Sequence, residues 1–230
     1  MEKKKEPTCA TCGIPITEKI CMHAKGKGPD FCPTKNLEDL ASESRNQYES
    51  PDIKEFARLA SIQEGECYLS RDQKPYVPHC SKTRIQEICE FGNKIGAKKI
   101  GLVFCVGLAK EAEMLSNIFS AQGFDVVSVV CKVGRMLKEE ALDIKDHEKI
   151  MIGTPEAACN PILQAKILND AETQLNVLLG LCVGHDSLFF KYADAYTTVL
   201  AVKDRVTGHN PLAALYTSNL YHLYLNRPGF

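Results

Sequence analysis

Lys98-Lys99-Ile100-Gly101-Leu102-Val103-Phe104-Cys105-Val106-Gly107 decides the fold. A Lys pair leads into an unbroken apolar run, Ile100 to Val106, that ends on a cysteine and a glycine. A short apolar run without alternation reads as a strand buried on both faces, which is the habit of parallel sheets. Three more runs of this kind follow: Phe124 to Val130, Leu175 to Leu181, and Thr197 to Val202. Helical stretches lie between them, at Leu108 to Gln122, Pro155 to Asn169, and Ser187 to Tyr192. Alternating strand and helix predicts an α/β fold with a four-stranded parallel open sheet of order 2-1-3-4, flanked by helices. A last helix, about Pro211 to Leu225, has Pro at its start and could cover the sheet.

Upstream of this pattern, residues 36–97 read as helices. Ser50-Pro51-Asp52 has the form of a helix start with Pro in the first turn. Ile85, Ile88, Cys89 and Ile95 mark a further amphipathic helix that ends near Gly96. Residues 1–35 are poor in large apolar side chains and carry Cys9, Cys12, Cys21 and Cys32. The expected organisation is therefore a cysteine-rich metal-binding module at 1–35, a helical segment at 36–97 and a parallel α/β domain at 98–230.

The chain has 230 residues and a net charge of −1, so no overall field draws it to nucleic acid or to a membrane. No apolar run approaches the roughly 20 residues that span a bilayer. The charged N-terminus lacks a signal-peptide core, and a cytoplasmic location is expected. In that compartment eleven cysteines read as metal ligands or redox groups, because disulfides are disfavoured there. An odd count also argues against a fully paired framework.

Cys9-Ala-Thr-Cys12-Gly13 is a two-residue knuckle whose sulfurs can reach one ion, and Cys21 and Cys32 can complete a four-cysteine site. Zinc and an iron–sulfur cluster both fit such a donor set. His23 is expected to face solvent.

A second set lies where ligands bind in open α/β sheets, outside the carboxyl ends of the strands. Cys105, Cys131 and Cys182 each follow a strand, and Cys159 is placed at the start of the next helix. Convergence of the four would hold a four-iron four-sulfur cluster. The competing interpretation is four small apolar core residues. Gly184-His185-Asp186 and Lys203-Asp204-Arg205 fall on the same edge. His185 and Lys203 are the candidate catalytic groups, and Lys203 or Arg205 could hold an anionic substrate. Asp186 and Asn210 have helix capping as their alternative. Cys89 reads as core. Cys67, His79 and Cys80 read as structural or as part of a further metal site.

The N-terminal cysteines, Gly180-Leu181-Cys182-Val183-Gly184-His185-Asp186, and Val202-Lys203-Asp204-Arg205-Val206-Thr207-Gly208-His209-Asn210-Pro211 together resemble an uncharacterised family of cysteine-rich proteins of anaerobic bacteria and archaea. The resemblance implies metal binding, inferred in that family from the N-terminal cysteines, and no particular activity.

The functional expectation is a metal-binding, iron–sulfur protein with a redox role. It would carry electrons for a partner protein or reduce a small molecule, and as an enzyme it would be an oxidoreductase. The alternatives are a non-enzymatic zinc-binding structural or regulatory module, and a protein that stores or transfers metal.

Overall fold

The computed structural model describes residues 6–229. They divide into two compact units on either side of the Ile62–Gln63 peptide.

The first unit carries α1 (Pro33–Asn36), α2 (Glu38–Gln47) and the greater part of α3 (Pro51–Glu66). Pro33 and Pro51 open their helices, where the missing N–H costs nothing. Cys32 is the one buried residue among those described in this unit. Gly28 makes room for it: a Cβ at Gly28 would lie 2.9 Å from Cys32 Sγ. So little burial supplies almost none of the apolar driving force that orders a domain.

The second unit is a layered α/β structure. After α4 (Arg84–Lys94) come β1 (Lys99–Phe104), α5 (Ala109–Ala121), β2 (Asp125–Val130), α6 (Lys138–Ala141), α7 (Pro161–Asp170), β3 (Leu175–Leu179), α8 (His185–Tyr192), β4 (Thr197–Ala201) and α9 (Leu212–Tyr216). The sheet is entirely parallel in the order β2-β1-β3-β4, as the apolar runs predict. Successive residues of β1 and β3 face opposite sides. Ile100, Leu102, Val177 and Leu179 pack with α4 and α5, among them Phe119 and Ile88. Val103 and Leu178 pack with α7 and α8 around Leu168 and Phe189.

Two interior features fix the layers. Gly101 in β1 has no room for a side chain, since a Cβ would lie 2.2 Å from Asn176 Oδ1 and 2.5 Å from Leu168 Cδ1. Asn176, fully buried, accepts a hydrogen bond from Thr173 Oγ1 at 2.7 Å. Beside α4, Glu66 pairs with Lys94 at 2.7 Å and Glu90 pairs with Lys82, while Gln63 donates to Glu90 at 2.8 Å.

Two helix expectations need correction. The helix placed at Pro155 begins at Pro161, because Asn160 caps it: its Oδ1 accepts from Leu163 N at 3.0 Å, and Pro161 takes the first position. Cys159 is therefore in the extended approach to α7, not in its first turn. The last helix spans Leu212–Tyr216 only and buries none of its residues, so it does not cover the sheet. Thr217-Ser218-Asn219 are poor helix formers. Thr217 Oγ1 bonds back to Ala213 O at 2.8 Å, and Thr217 O turns to accept from His222 N. Among the described residues no helix is long and apolar enough to cross a membrane.

Candidate functional site: a thiol cluster at the strand ends

All four strands point the same way, so the segments leaving β1, β2, β3 and β4 emerge at one edge. Cys105 directly follows β1 and Cys131 directly follows β2. Their backbones continue the ladder: Cys131 N donates to Phe104 O at 2.9 Å and Cys105 N to Leu179 O at 3.2 Å. Both side chains are buried among apolar neighbours of the α7–α8 face.

Cys159 arrives from further along the chain. Asn160 N donates to Cys131 O at 2.7 Å, and Ala158 N donates to Met136 O at 2.7 Å. These bonds lay the approach to α7 beside the end of β2. The Cys131 and Cys159 side chains are thereby brought near enough to act on each other's protonation. Val106 N–H donates to Cys131 Sγ at 3.3 Å. Gln164 of α7, wholly buried, secures the same corner by donating to Val129 O at 2.8 Å and to Phe104 O at 3.4 Å.

The two thiols are not equivalent. The hydrogen bond from Cys131 and a second from His185 pull the Cys159 thiol well below the ordinary range; burial works against them, and the nearby Lys132 charge adds to them. The same contact with Cys159, together with burial, pushes the Cys131 thiol up, although the Val106 N–H acts the other way. The two directions are opposite, so half-buried Cys159 carries a negative charge more readily than Cys131 does.

His185 reaches Cys159 because α8 starts there. Gly184, at φ +83°, turns the chain after β3 in a conformation that side-chain-bearing residues rarely take. His185 N and Asp186 N then donate to Cys182 O at 3.0 and 3.1 Å. Asp186 Oδ1 accepts from Ser187 N at 2.8 Å, so its carboxylate works within the first turn of α8.

Cys182 belongs to the same edge, but its sulfur is turned to Arg205, whose Nη2 donates to it at 3.1 Å. Lys203 follows β4, and its Nζ stands over Gly107, 3.5 Å from where a Cβ would be; Cys105 Sγ lies 4.0 Å from the same point. Lys132 Nζ donates to Ala157 O. Of the residues read as cluster ligands, then, Cys131 and Cys159 are neighbours, Cys105 borders Cys131, and Cys182 faces Arg205. Lys132 and Gln164 are contributors that sequence reasoning missed. Lys132 had a signal, since it directly follows a strand-end cysteine. Gln164 had none, being a lone polar residue on a helix.

The N-terminal set is different in kind. Cys9 and Cys21 are exposed, Cys12 half-buried and Cys32 buried. Cys12 N donates to Cys9 O at 3.2 Å, and Gly13 follows at φ +69°, so the knuckle forms as a tight turn. Among the described residues no group of three or more His, Cys, Asp or Glu side chains is disposed to hold one metal ion. Elsewhere, Cys89 is in the core beside α5. Cys67 Sγ donates to Gln63 O at 3.1 Å, and burial raises its thiol. Ser81 N donates to Cys67 O at 2.9 Å and Leu69 N to His79 O at 2.9 Å, so Cys67, His79 and Cys80 belong to a small antiparallel pairing.

The family described as "Protein of unknown function (DUF1847)" matches residues 32–200. An uncharacterized protein of the archaeon Methanocaldococcus jannaschii, MJ0455, is 41% identical over 179 residues, which is 78% of this chain and 84% of that one. The matched range takes in Cys105, Cys131, Cys159, Cys182 and His185.

Proposed function

The chain belongs to this family of proteins of unknown function, and from that premise we propose that it is a dithiol redox protein, a reductase of small molecules, with Cys131 and Cys159 as the working pair. The observation that carries the reading is the meeting of the Cys131 and Cys159 segments at the strand-end edge, where the two side chains act on each other's protonation with His185 and Lys132 beside them. Reducing chemistry needs a sulfur that is nucleophilic at neutral pH and a second within bonding reach. Oxidation of the pair to a disulfide releases two electrons and the protons the sulfurs hold. The backbone bond from Asn160 N to Cys131 O supports this, because it holds neighbouring backbone close enough for a disulfide to bridge.

Mild oxidation followed by alkylation and peptide mapping tests it. A Cys131–Cys159 disulfide is expected, reversed by dithiothreitol and lost in Cys159→Ser. Recovery of both residues as free thiols from oxidised protein would remove the pair from consideration.

Two further groups bear on the same question. An iron–sulfur cluster would be the alternative redox group of this edge, favoured by the presence there of Cys105, Cys131, Cys159 and Cys182. Iron and sulfide analysis of anaerobically prepared protein separates it from a metal-free dithiol. In the first unit the tight Cys9–Cys12 turn with Gly13 favours zinc, with Cys21 and Cys32 as the remaining donors. Elemental analysis of Cys9→Ser and Cys12→Ser should show that metal lost.

A further inference from the structure

From Pro211 to Asn226 the usual division between inside and outside is reversed. Ala213, Ala214, Thr217, Ser218 and His222 are half-buried. The large apolar side chains face water instead. Four leucines and three tyrosines between Leu212 and Tyr224 are exposed, Tyr216 at 76% and Tyr221 at 79%.

Bonds within the segment turn its polar groups inward. Thr217 Oγ1 donates to Ala213 O at 2.8 Å and stands 2.7 Å from His222 Nδ1. His222 N donates to Thr217 O at 3.0 Å, and Asn226 Nδ2 donates to Ser218 O at 2.8 Å. The His222 and Tyr224 rings lie 5.9 Å apart. The chain therefore folds back on itself around small and polar side chains and presents leucine and tyrosine to the outside. That arrangement costs free energy in water unless something covers it.

Size and charge say what covers it. With a large side chain offering roughly 150–250 Å², the outward parts of the seven come to on the order of 800 Å². A stable interface takes about 800 Å² from each partner. No Asp, Glu, Lys or Arg occurs from Pro211 to Asn226, although 25% of the chain is charged. A contact between two copies about a twofold axis sets a patch against itself, so any charge within it would meet a like charge. A neutral patch escapes that repulsion. Tyrosine suits the same contact, since a phenol both donates and accepts and can bond to its counterpart or to backbone across the axis. Apolar segments that lie on lipid carry Lys and Arg beside the apolar face, and this one has none.

We propose that the Pro211–Asn226 segment is a self-association surface, covered by the same segment of a second copy of this chain in a twofold dimer.

Sedimentation of the full-length protein tests this, with reductant present so that none of the eleven cysteines cross-links chains. Across about 1 to 100 μM, a range that brackets ordinary dimer affinities, the mass is expected to rise from one chain to two. Tyr221→Glu and Leu215→Glu should each weaken the dimer by about 100-fold or more, because each places a charge in a patch that meets itself. Circular dichroism of both variants should match that of the dissociated wild type, since neither side chain is buried. Mixing Tyr221→Glu with Tyr221→Lys should restore association, which only a contact between two copies can do. A single-chain mass at every concentration would overturn the proposal. So would a dimer that both glutamate variants leave intact, because its interface would lie elsewhere. A monomer that floats with phosphatidylcholine vesicles would overturn it in favour of a lipid surface.

Discussion

Cys9, Cys12 and Cys21 stand in a unit where, among the described residues, Cys32 alone is buried, whereas Cys105 and Cys131 lie among Val103, Val129, Leu181 and Phe189. The same residue type meets two kinds of order. In the α/β unit the apolar layers come first, and the thiols are carried to their places by strand ends that packing has already fixed. Among the described residues of the N-terminal unit there is no comparable core, so a site made of those cysteines would have to supply the order itself, as metal-bound modules do. The thiols of the second set are held in place by packing; those of the first, Cys32 apart, stand in exposed or half-exposed turns.

That contrast can be broken by substitutions that probe each unit for a core. Phe119→Ala, at a fully buried ring that meets Phe124 edge-on, should cost about 3–5 kcal/mol in urea unfolding of the α/β unit. Gly101→Ala should cost about 1–3 kcal/mol, because its Cβ overlaps Asn176 Oδ1 and Leu168 Cδ1, neither of which has room to retreat. Acid offers a third probe. Burial would raise the Glu90 carboxyl, but hydrogen bonds from Lys82, Gln63 and Gln86 overcome it and bring the group from 4.5 to about 2. A carboxyl depressed in the folded state stabilises that state above its unfolded value. The contribution therefore fades as pH falls from about 4.5 toward 2, by on the order of 2 kcal/mol. Thermal melts across that range should show it, and Glu90→Gln should flatten the slope. At the other end, Leu40→Ala in α2, at a side chain 62% exposed, should change stability by no more than about 0.5 kcal/mol. A large effect at Leu40 would mean that the first unit has a core after all, and the contrast would fail.

The strands and their order were legible because both faces of a parallel sheet are buried, which leaves an unbroken apolar run such as Ile100 to Val106 in the sequence. The helix boundary just after Cys159 was also legible in principle: Asn160-Pro161 pairs a capping residue with a proline suited to the first position. Pro155 attracted the assignment because it too precedes a helix-compatible stretch. The partnership of Cys131 with Cys159 was not legible. It depends on where the chain goes between Lys132 and Ala158, and bonds such as Lys138–Glu156 and Ala158 N to Met136 O set that course. Local periodicity carries no trace of them. Nor could sequence turn Cys182 toward Arg205, since that contact joins segments leaving two different strands.

Asn160 closes both ends of one excursion: its N–H is on Cys131 O, and its side chain begins α7. Between those ends Met136 O and Lys138 hold the returning chain through Ala158 N and Glu156, and the backbone of Ile150 and Met151 donates to the same Glu156 carboxylate. The side chains of Ile150 to Ile152 stay largely outside that network. A small reporter attached through one of them would ride on the protein while the backbone keeps its bonds to Glu156, giving a handle for following the neighbouring thiols.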